Sequence, residues 1–283
     1  MVYYLILGSN ESEQVDIVSL VNRLSCSDVK FLIHIDEKFN IIKDLQELTA
    51  RNVQILQDRI ICNWSGFSLV EAMLLLLKEA KKTQEKAVYQ FLSPKCYPLS
   101  DAETCARHLE RTGTNIHFWG AIEPKKTKDE HLSQRFVSNV WLFDFKPLNF
   151  RNYNGSISSF LVQNFVRGVH LILSLLIKVN KGHSFLKGSQ WFSIRSDDWH
   201  SVSQRDIANL KKKLKYTKAP DEIFFHTLLS EFYTPGKTDP SQQHKYANHY
   251  IDWSNPKSGP KIFTVEQSQK IQTDAVFIRK IMI

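Results

Sequence analysis

The sequence lacks most of the signatures that announce an enzyme class. No GxGxxG follows its first apolar run and no GxxxxGK[ST] occurs anywhere, so dinucleotide-binding and P-loop readings lose their usual anchor. Its four cysteines, Cys26, Cys62, Cys96 and Cys105, include no CxxC pair. That leaves neither a zinc knuckle nor a redox motif, and fits the reduced thiols of a cytosolic protein. No His, Asp and Glu residues fall at metal-ligand spacing. Asp197-Asp198, the adjacent acidic pair in the region where a metal motif would be sought, precedes Trp199 and reads as a helix N-cap. The N-terminal run Met1 to Gly8 is too short and too uncharged for a signal peptide. Repeats and low-complexity tracts are absent.

Long hydrophobic runs are also missing. The most apolar later stretch, Leu171 to Ile177, is bracketed by Arg167, His170 and Lys178 and is too short to cross a bilayer. It is expected to be a buried core helix, with a membrane-surface helix as the alternative.

What is present suits a folded α/β protein. The chain has 283 residues, 42% apolar and 12% aromatic, near the upper limit of one hydrophobic core, and a single domain spanning 1–283 is expected. The formal charge of +8 suits an anionic partner: nucleic acid, an anionic membrane surface or a nucleoside diphosphate.

The first half alternates two periodicities. Apolar runs over Tyr3–Leu7, Lys30–Ile35, Val53–Leu56 and Val88–Leu92 read as buried strands, and Ser12–Leu24, Phe67–Lys82 and Asp101–Arg111 as helices between or after them. Strands separated by helices argue for a parallel sheet. Ligands of such sheets sit beyond the carboxyl ends of the strands, which marks His34-Ile35-Asp36 and Ser93-Pro94-Lys95. Asp36 could equally cap a turn. Past residue 113 the pattern loosens. Glu123–Gln134 reads as a loop or lid, Val140–Phe145 as a strand, Ser158–Val179 as a helix, Gly188–Arg195 as a strand and Trp199–Tyr216 as a basic helix.

Two later segments carry candidate chemistry. Pro220 opens a helix, because its missing N–H costs nothing in the first turn, and Asp221 and Glu222 then lie where the helix dipole favours their ionised forms. A carboxylate facing a cleft is a fit general base, although a well-formed helix start explains the residues equally. The end of the chain, Phe277-Ile278-Arg279-Lys280, sets two cations among apolar residues, as a surface tail or a diphosphate clamp. The run Lys211-Lys212-Lys213-Leu214-Lys215 reads as a solvated helix face, or less simply as a nucleic-acid contact.

Six blocks, in order, resemble the core-2/I-branching β-1,6-N-acetylglucosaminyltransferase family, which includes the peptide O-xylosyltransferases. Ile33-His34-Ile35-Asp36 is similar to its IHxD strand end. Trp64-Ser65-Gly66-Phe67-Ser68-Leu69-Val70-Glu71-Ala72 is similar to its W-G-x-x-x-V-x-A helix start. Tyr89 to Leu99 resembles its Y-x-x-L-S-G-x-D-x-P-L block, Gly188-Ser189-Gln190-Trp191-Phe192 its G-S-x-Y/W-F, Ala219 to Phe225 its S-P-D-E-x-F/L-W, and Phe277 to Ile281 its terminal F-A-R-K-F. The resemblance implies a glycosyltransferase A-type fold, a Rossmann-like, mostly parallel central sheet flanked by helices. Residues 1–112 would bind the nucleotide-sugar, and 113–283 the acceptor and the catalytic groups.

It also implies an inverting transfer without a metal cofactor, from a UDP-sugar, with UDP-GlcNAc favoured. Glu222 matches the catalytic base. Lys280 and Arg279 match the diphosphate-binding end, with Lys261 or alternatively Lys257 as a second cation. His34 and Asp36 fall where the nucleotide lies, Trp253 at the sugar pocket, and Glu123 and Arg135 at acceptor positions. The S-G-x-D block here reads Ser93-Pro94-Lys95-Cys96, without its glycine and aspartate, and the upstream cation is lysine rather than arginine, which removes a bidentate phosphate contact. The expectation is a bacterial-type cytoplasmic enzyme of surface-polysaccharide synthesis. It would act on a glycan or lipid-linked oligosaccharide, sit peripherally on the inner face of the membrane and bind no nucleic acid. A non-catalytic sugar-nucleotide-binding homologue is the alternative.

Overall fold

A computed structural model describes residues 1–48, 52–122, 135–149, 157–177, 179–180, 182–230, 245–254 and 259–282. Its centre is a five-stranded sheet in the order β3-β2-β1-β4-β8, formed by β1 (Val2–Gly8), β2 (Val29–Ile35), β3 (Val53–Ile55), β4 (Val88–Leu92) and β8 (Ser193–Arg195). The first four strands are parallel and β8 closes one edge antiparallel to β4. The sheet is mostly parallel and flanked by helices, as the strand and helix spacing predicts.

The apolar strands are continuous rather than alternating because both sheet faces are covered. Tyr3 and Leu5 of β1 face one core with α3 (Ser68–Lys81), while Val2, Tyr4 and Ile6 face another with α1 (Glu11–Leu24) and α4 (Ala102–Thr112). Asn10 and Asp101 cap α1 and α4 by accepting the N–H of Glu13 and Thr104. Between β2 and β3 lies the short α2 (Lys43–Glu47).

The second half departs from the expected pattern. Two small sheets stand beside the large one. One pairs β6 (Phe118–Ile122) with β7 (Phe185–Gly188); the other runs β5 (Tyr97–Pro98), β11 (Phe277–Ile278), β10 (His249–Tyr250), β9 (Lys245–Tyr246). The expected strand over Gly188–Arg195 divides into the end of β7 and the whole of β8. The expected helix over Trp199–Tyr216 divides into α6 (Ser196–Ser201) and α7 (Gln204–Leu214), where the Ser203 hydroxyl caps the second. Asp197 and Asp198 lie within the first turn of α6, with Arg195 at the N-cap, and Asp198 accepts a hydrogen bond from Thr114 Oγ1 (2.6 Å). Residues 140–145 are irregular, with a turn at Phe143-Asp144, and form no strand. The segment Glu123–Gln134 lies outside the described residues.

The largest correction concerns α5 (Ile157–Leu176). Among its described side chains only Val166, His170 and Ser174, one position every four residues, are buried. Leu171, Ile172, Leu175, Leu176 and Ile177, expected in a core, are all exposed.

A buried polar cluster ties the small sheet to the large one. The Asn248 amide donates to Gln90 Oε1 (2.7 Å) on β4 and Ser193 Oγ (2.9 Å) on β8, and its Oδ1 accepts from Asn115 (2.7 Å). Its backbone carbonyl accepts the N–H groups of Val276 and Phe277 at the start of β11. Asn248→Ala would leave several buried polar groups unpaired, each costing about 1–3 kcal/mol. Urea unfolding should show a fall in stability of at least that size; an unchanged midpoint would mean that the cluster does not hold the two sheets together.

Candidate active site

The strand order reverses between β1 and β4, the switch point at which open α/β sheets bind ligands. A cavity of about 520 Å³ lies there. Gly8 and Ser9 from the end of β1, His34 and Asp36 from the end of β2, and Ser93 and Pro94 from the end of β4 form its floor. Four of the six tryptophans, Trp64, Trp119, Trp191 and Trp253, line its walls. Asp221, Glu222, Arg279 and Lys280 bring the charge.

Each charged group has an identifiable mount. Ala219 adopts the left-handed conformation (φ 50°), and Pro220–Glu222 form a 3-10 helical turn before α8 (Phe224–Leu228). The proline thus opens a tight turn rather than the expected α-helix. The Ala219 N–H is held by Ser65 Oγ (3.0 Å) and the Ser65 carbonyl (3.2 Å). Ser65 itself has φ 64°, and a Cβ on the following Gly66 would meet Asp144 Oδ1 at 2.1 Å. Asp144 in turn accepts from the backbone N–H (3.1 Å) and hydroxyl (2.5 Å) of Ser68 at the start of α3. The Trp64-Ser65-Gly66 turn therefore fixes the carboxylate-bearing turn, although the two are over 150 residues apart in the chain.

Glu222 Oε2 pairs with Lys187 Nζ at 3.0 Å. Lys187 comes from β7 and stacks over the rings of Trp119 (5.0 Å) and Phe136 (4.9 Å). Its strand can approach only because Gly188 follows: a Cβ there would meet the His117 carbonyl oxygen at 2.0 Å. Beside this pair, Asp221 is buried and its Oδ1 has no partner among the described residues. Burial first, and the neighbouring Glu222 charge second, push its carboxyl up to about 7, against a smaller opposing pull from Lys187. The expectation that both acids of this turn stay ionised fails at Asp221, because desolvation outweighs any dipole at a three-residue turn.

The Arg279 Nε donates to Ser93 Oγ (3.0 Å), and its guanidinium lies over Trp191 (4.8 Å). Lys280 is partly buried, and burial, with Arg279 next to it, draws its pKa down. Cys96 is fully buried and outside the cavity wall. Its sulfur accepts the Ser93 N–H (3.3 Å) and approaches His249 Nε2 (3.4 Å), so it closes the turn that presents Ser93 to Arg279.

At the other end, Asp36 does both things weighed for it. Its Oδ1 accepts the Lys38 N–H (3.1 Å), capping a turn, and its Oδ2 pairs with Lys38 Nζ (3.2 Å) at the cavity. His34 Nε2 accepts the Ile60 N–H (2.9 Å), and burial lowers its pKa to about 4, which keeps the ring neutral at pH 7.

A family model described as Core-2/I-Branching enzyme matches residues 3–276. The chain belongs to this family. No curated protein matches it. Core-2/I-branching enzymes are glycosyltransferases of the glycosyltransferase A-type fold, acting between a sugar-nucleotide donor and a glycan acceptor.

Of the residues singled out in this core-2/I-branching chain, the fold brings Glu222, His34, Asp36, Arg279, Lys280 and Trp253 to one cavity. Lys261 is exposed outside its wall, with its ammonium over Phe263 (4.9 Å), although its carbonyl accepts the Lys280 N–H (3.4 Å). Arg135 is exposed and also off the wall. Glu123 and Lys257 lie outside the described residues. Lys187 and Trp119 were not singled out; Asp221 was noted beside Glu222 without a role of its own, and Trp64 and Trp191 only within the matching blocks. Lys187 is a lone cation in a four-residue strand, and only its place beside Gly188-Ser189 could have drawn attention to it.

An acid whose folded pKa is raised binds its proton more tightly folded than unfolded, so its favourable contribution is present at low pH and is lost as pH rises toward about 7. Asp221→Asn should therefore stabilise the protein at pH 8.5 relative to wild type and do so much less at pH 5. Thermal unfolding at the two pH values checks this; an equal shift at both would place the Asp221 pKa elsewhere.

Proposed function

We propose that this glycosyltransferase moves a sugar, GlcNAc from UDP-GlcNAc, onto a hydroxyl of a glycan or lipid-linked oligosaccharide of a surface polysaccharide. The transfer inverts the anomeric centre and needs no metal ion. The observation that carries the reading is the Glu222 carboxylate, held by Lys187 in the same cavity that Arg279 and Lys280 enter.

The uridine end of the donor lies over His34 and Asp36. A carboxylate at the end of the second strand is well placed to accept ribose hydroxyls, as in other doubly wound folds. The diphosphate lies toward Arg279 and Lys280. The guanidinium is pre-aimed by Ser93 and Trp191, so little rotamer freedom remains to be lost on binding. The tryptophans offer flat apolar faces to the sugar rings.

Glu222 Oε1 has no hydrogen bond among the described residues and receives the acceptor's proton, while Lys187 holds Oε2 and orients the group. As the acceptor oxygen forms its bond to the anomeric carbon, the bond to the diphosphate oxygen breaks and its electron pair leaves with UDP. The growing charge is met by Lys280 and Arg279, cations fixed before the reaction starts. Lys261 joins them if the loop bearing it turns inward, and Trp253 packs against the transferred sugar. Glu123 and Arg135 remain proposed acceptor contacts.

Cys96 motivated the non-catalytic alternative. Its position outside the cavity wall supports the catalytic reading, since the missing family aspartate leaves no gap in the lining. The basic run on α7 buries Ile207, Leu210 and Leu214 and exposes its lysines, and Lys211 pairs with Glu71 (3.6 Å), the behaviour of a solvated face.

Glu222→Gln should keep UDP affinity and lower transfer by about 10²–10⁴-fold. A fully active variant would remove Glu222 from the base role. Transfer should also persist in excess EDTA; loss of activity that Mn²⁺ restores would overturn the metal-free mechanism.

A further inference from the structure

The feature that the cavity does not explain is α5. Over its residues Ser159–Leu176 the mean hydropathy is 1.4, yet only 17% of that stretch is buried. At 100° per residue, Leu161, Phe165, Ile172 and Leu176 fall within an arc of about 60°, nearly opposite the buried stripe of Val166, His170 and Ser174. Their exposures are 65%, 70%, 57% and 76%. Leaving so much apolar surface in water is costly for a soluble protein and marks an interaction face.

The charge of the chain before, within and after the helix indicates what covers it. From residue 145 to residue 184 the chain has no Asp or Glu and five cations, Lys146, Arg151, Arg167, Lys178, Lys181 and none other. The next turn of structure adds more: Asn180, just past α5, donates to the carbonyl of Lys213 (2.7 Å), at the lysine-rich end of α7. An apolar stripe in a stretch of chain whose charged residues are all basic matches the boundary of an anionic bilayer, where acyl chains take the stripe and phosphates the cations.

The helix is long enough to cross a membrane but is tied down through its second half. Ser174 Oγ accepts the Val140 N–H (3.2 Å), and His170 packs edge-on against Trp141 (5.4 Å) and Phe143 (5.6 Å). Crossing would strip these contacts; lying in the surface plane keeps them.

We propose that α5 is an in-plane membrane anchor that seats this enzyme on an anionic lipid surface, inserting Leu161, Phe165, Ile172 and Leu176. The anchor connects to the cavity through one aromatic relay: His170 meets Phe143, and Phe143 meets Trp64 (6.4 Å) on the cavity wall. Seating α5 therefore fixes the height of the cavity mouth above the lipid. Its use in meeting a lipid-linked acceptor rests on the transfer reading above; the anchor itself does not.

Flotation of the purified chain with vesicles tests it without any sugar. The protein should float with phosphatidylcholine–phosphatidylglycerol vesicles, float far less with phosphatidylcholine alone, and weaken as salt rises. Phe165→Glu combined with Ile172→Glu should lower the bound fraction at least 10-fold, with unchanged thermal stability and UDP affinity. Both positions are exposed, so the variant needs no repacking. Flotation of the variant equal to wild type overturns the proposal. So does absence of flotation together with a wild-type dimer, in sedimentation, that the variant abolishes; that result would assign the face to a second copy of the chain. Glu222→Gln should float like wild type, so failure of the anchor and failure of the catalytic reading give different results.

Discussion

The clasp between Ser65 and Ala219 is the contact on which the site depends. Two backbone positions with positive φ meet there, and the N–H of one is shared by the hydroxyl and the carbonyl of the other. Neither turn has a regular helix or strand to define it, so each takes its shape from the other. Gly66 and Asp144 brace one side, with Asp144 also capping α3. The Pro220 turn then projects Glu222 toward Lys187, which β7 can deliver only because Gly188 lets that strand approach His117.

The opposite wall is held by a different principle. The terminal segment that bears Arg279 and Lys280 belongs to the small sheet, and buried amides and hydroxyls join that sheet to the large one beside the apolar contact of Phe277 with Tyr4. Hydrogen bonds of this kind are directional, so they set register as well as proximity. The guanidinium is then aimed by Ser93 and by the face of Trp191. The nucleotide end, the cation end and the carboxylate end are thus mounted on three separate frames that converge at the switch point of the sheet.

Charge in this pocket is arranged by burial as much as by pairing. Adjacent acids behave differently: Glu222 reaches a lysine, while Asp221 is enclosed with no partner for one oxygen among the described residues and is pushed toward neutrality. Two full negative charges side by side would repel each other and compete for Lys187, the cation that orients Glu222. On the outside of the molecule the imbalance is reversed, and an acid-free stretch of chain carries the most exposed apolar helix.

The sequence by itself determined the parallel half of the fold. Strands buried on both faces are written as unbroken apolar runs, and helices with caps such as Asn10 and Asp101 are written as local signals. The resemblance also carried the family and assigned roles to six of the cavity residues: His34, Asp36, Glu222, Trp253, Arg279 and Lys280. Tertiary structure alone decided the rest, because the remaining facts depend on contacts between distant segments. Lys187 acquires its partner from a turn 35 residues on, and Trp119 joins the wall through a short strand with a glycine in it. The pKa of Asp221 depends on its enclosure, which no local pattern encodes. The same holds for α5: an apolar helix reads alike in sequence whether a core or a membrane is to cover it, and only the packing of its neighbours shows that the protein leaves one face bare.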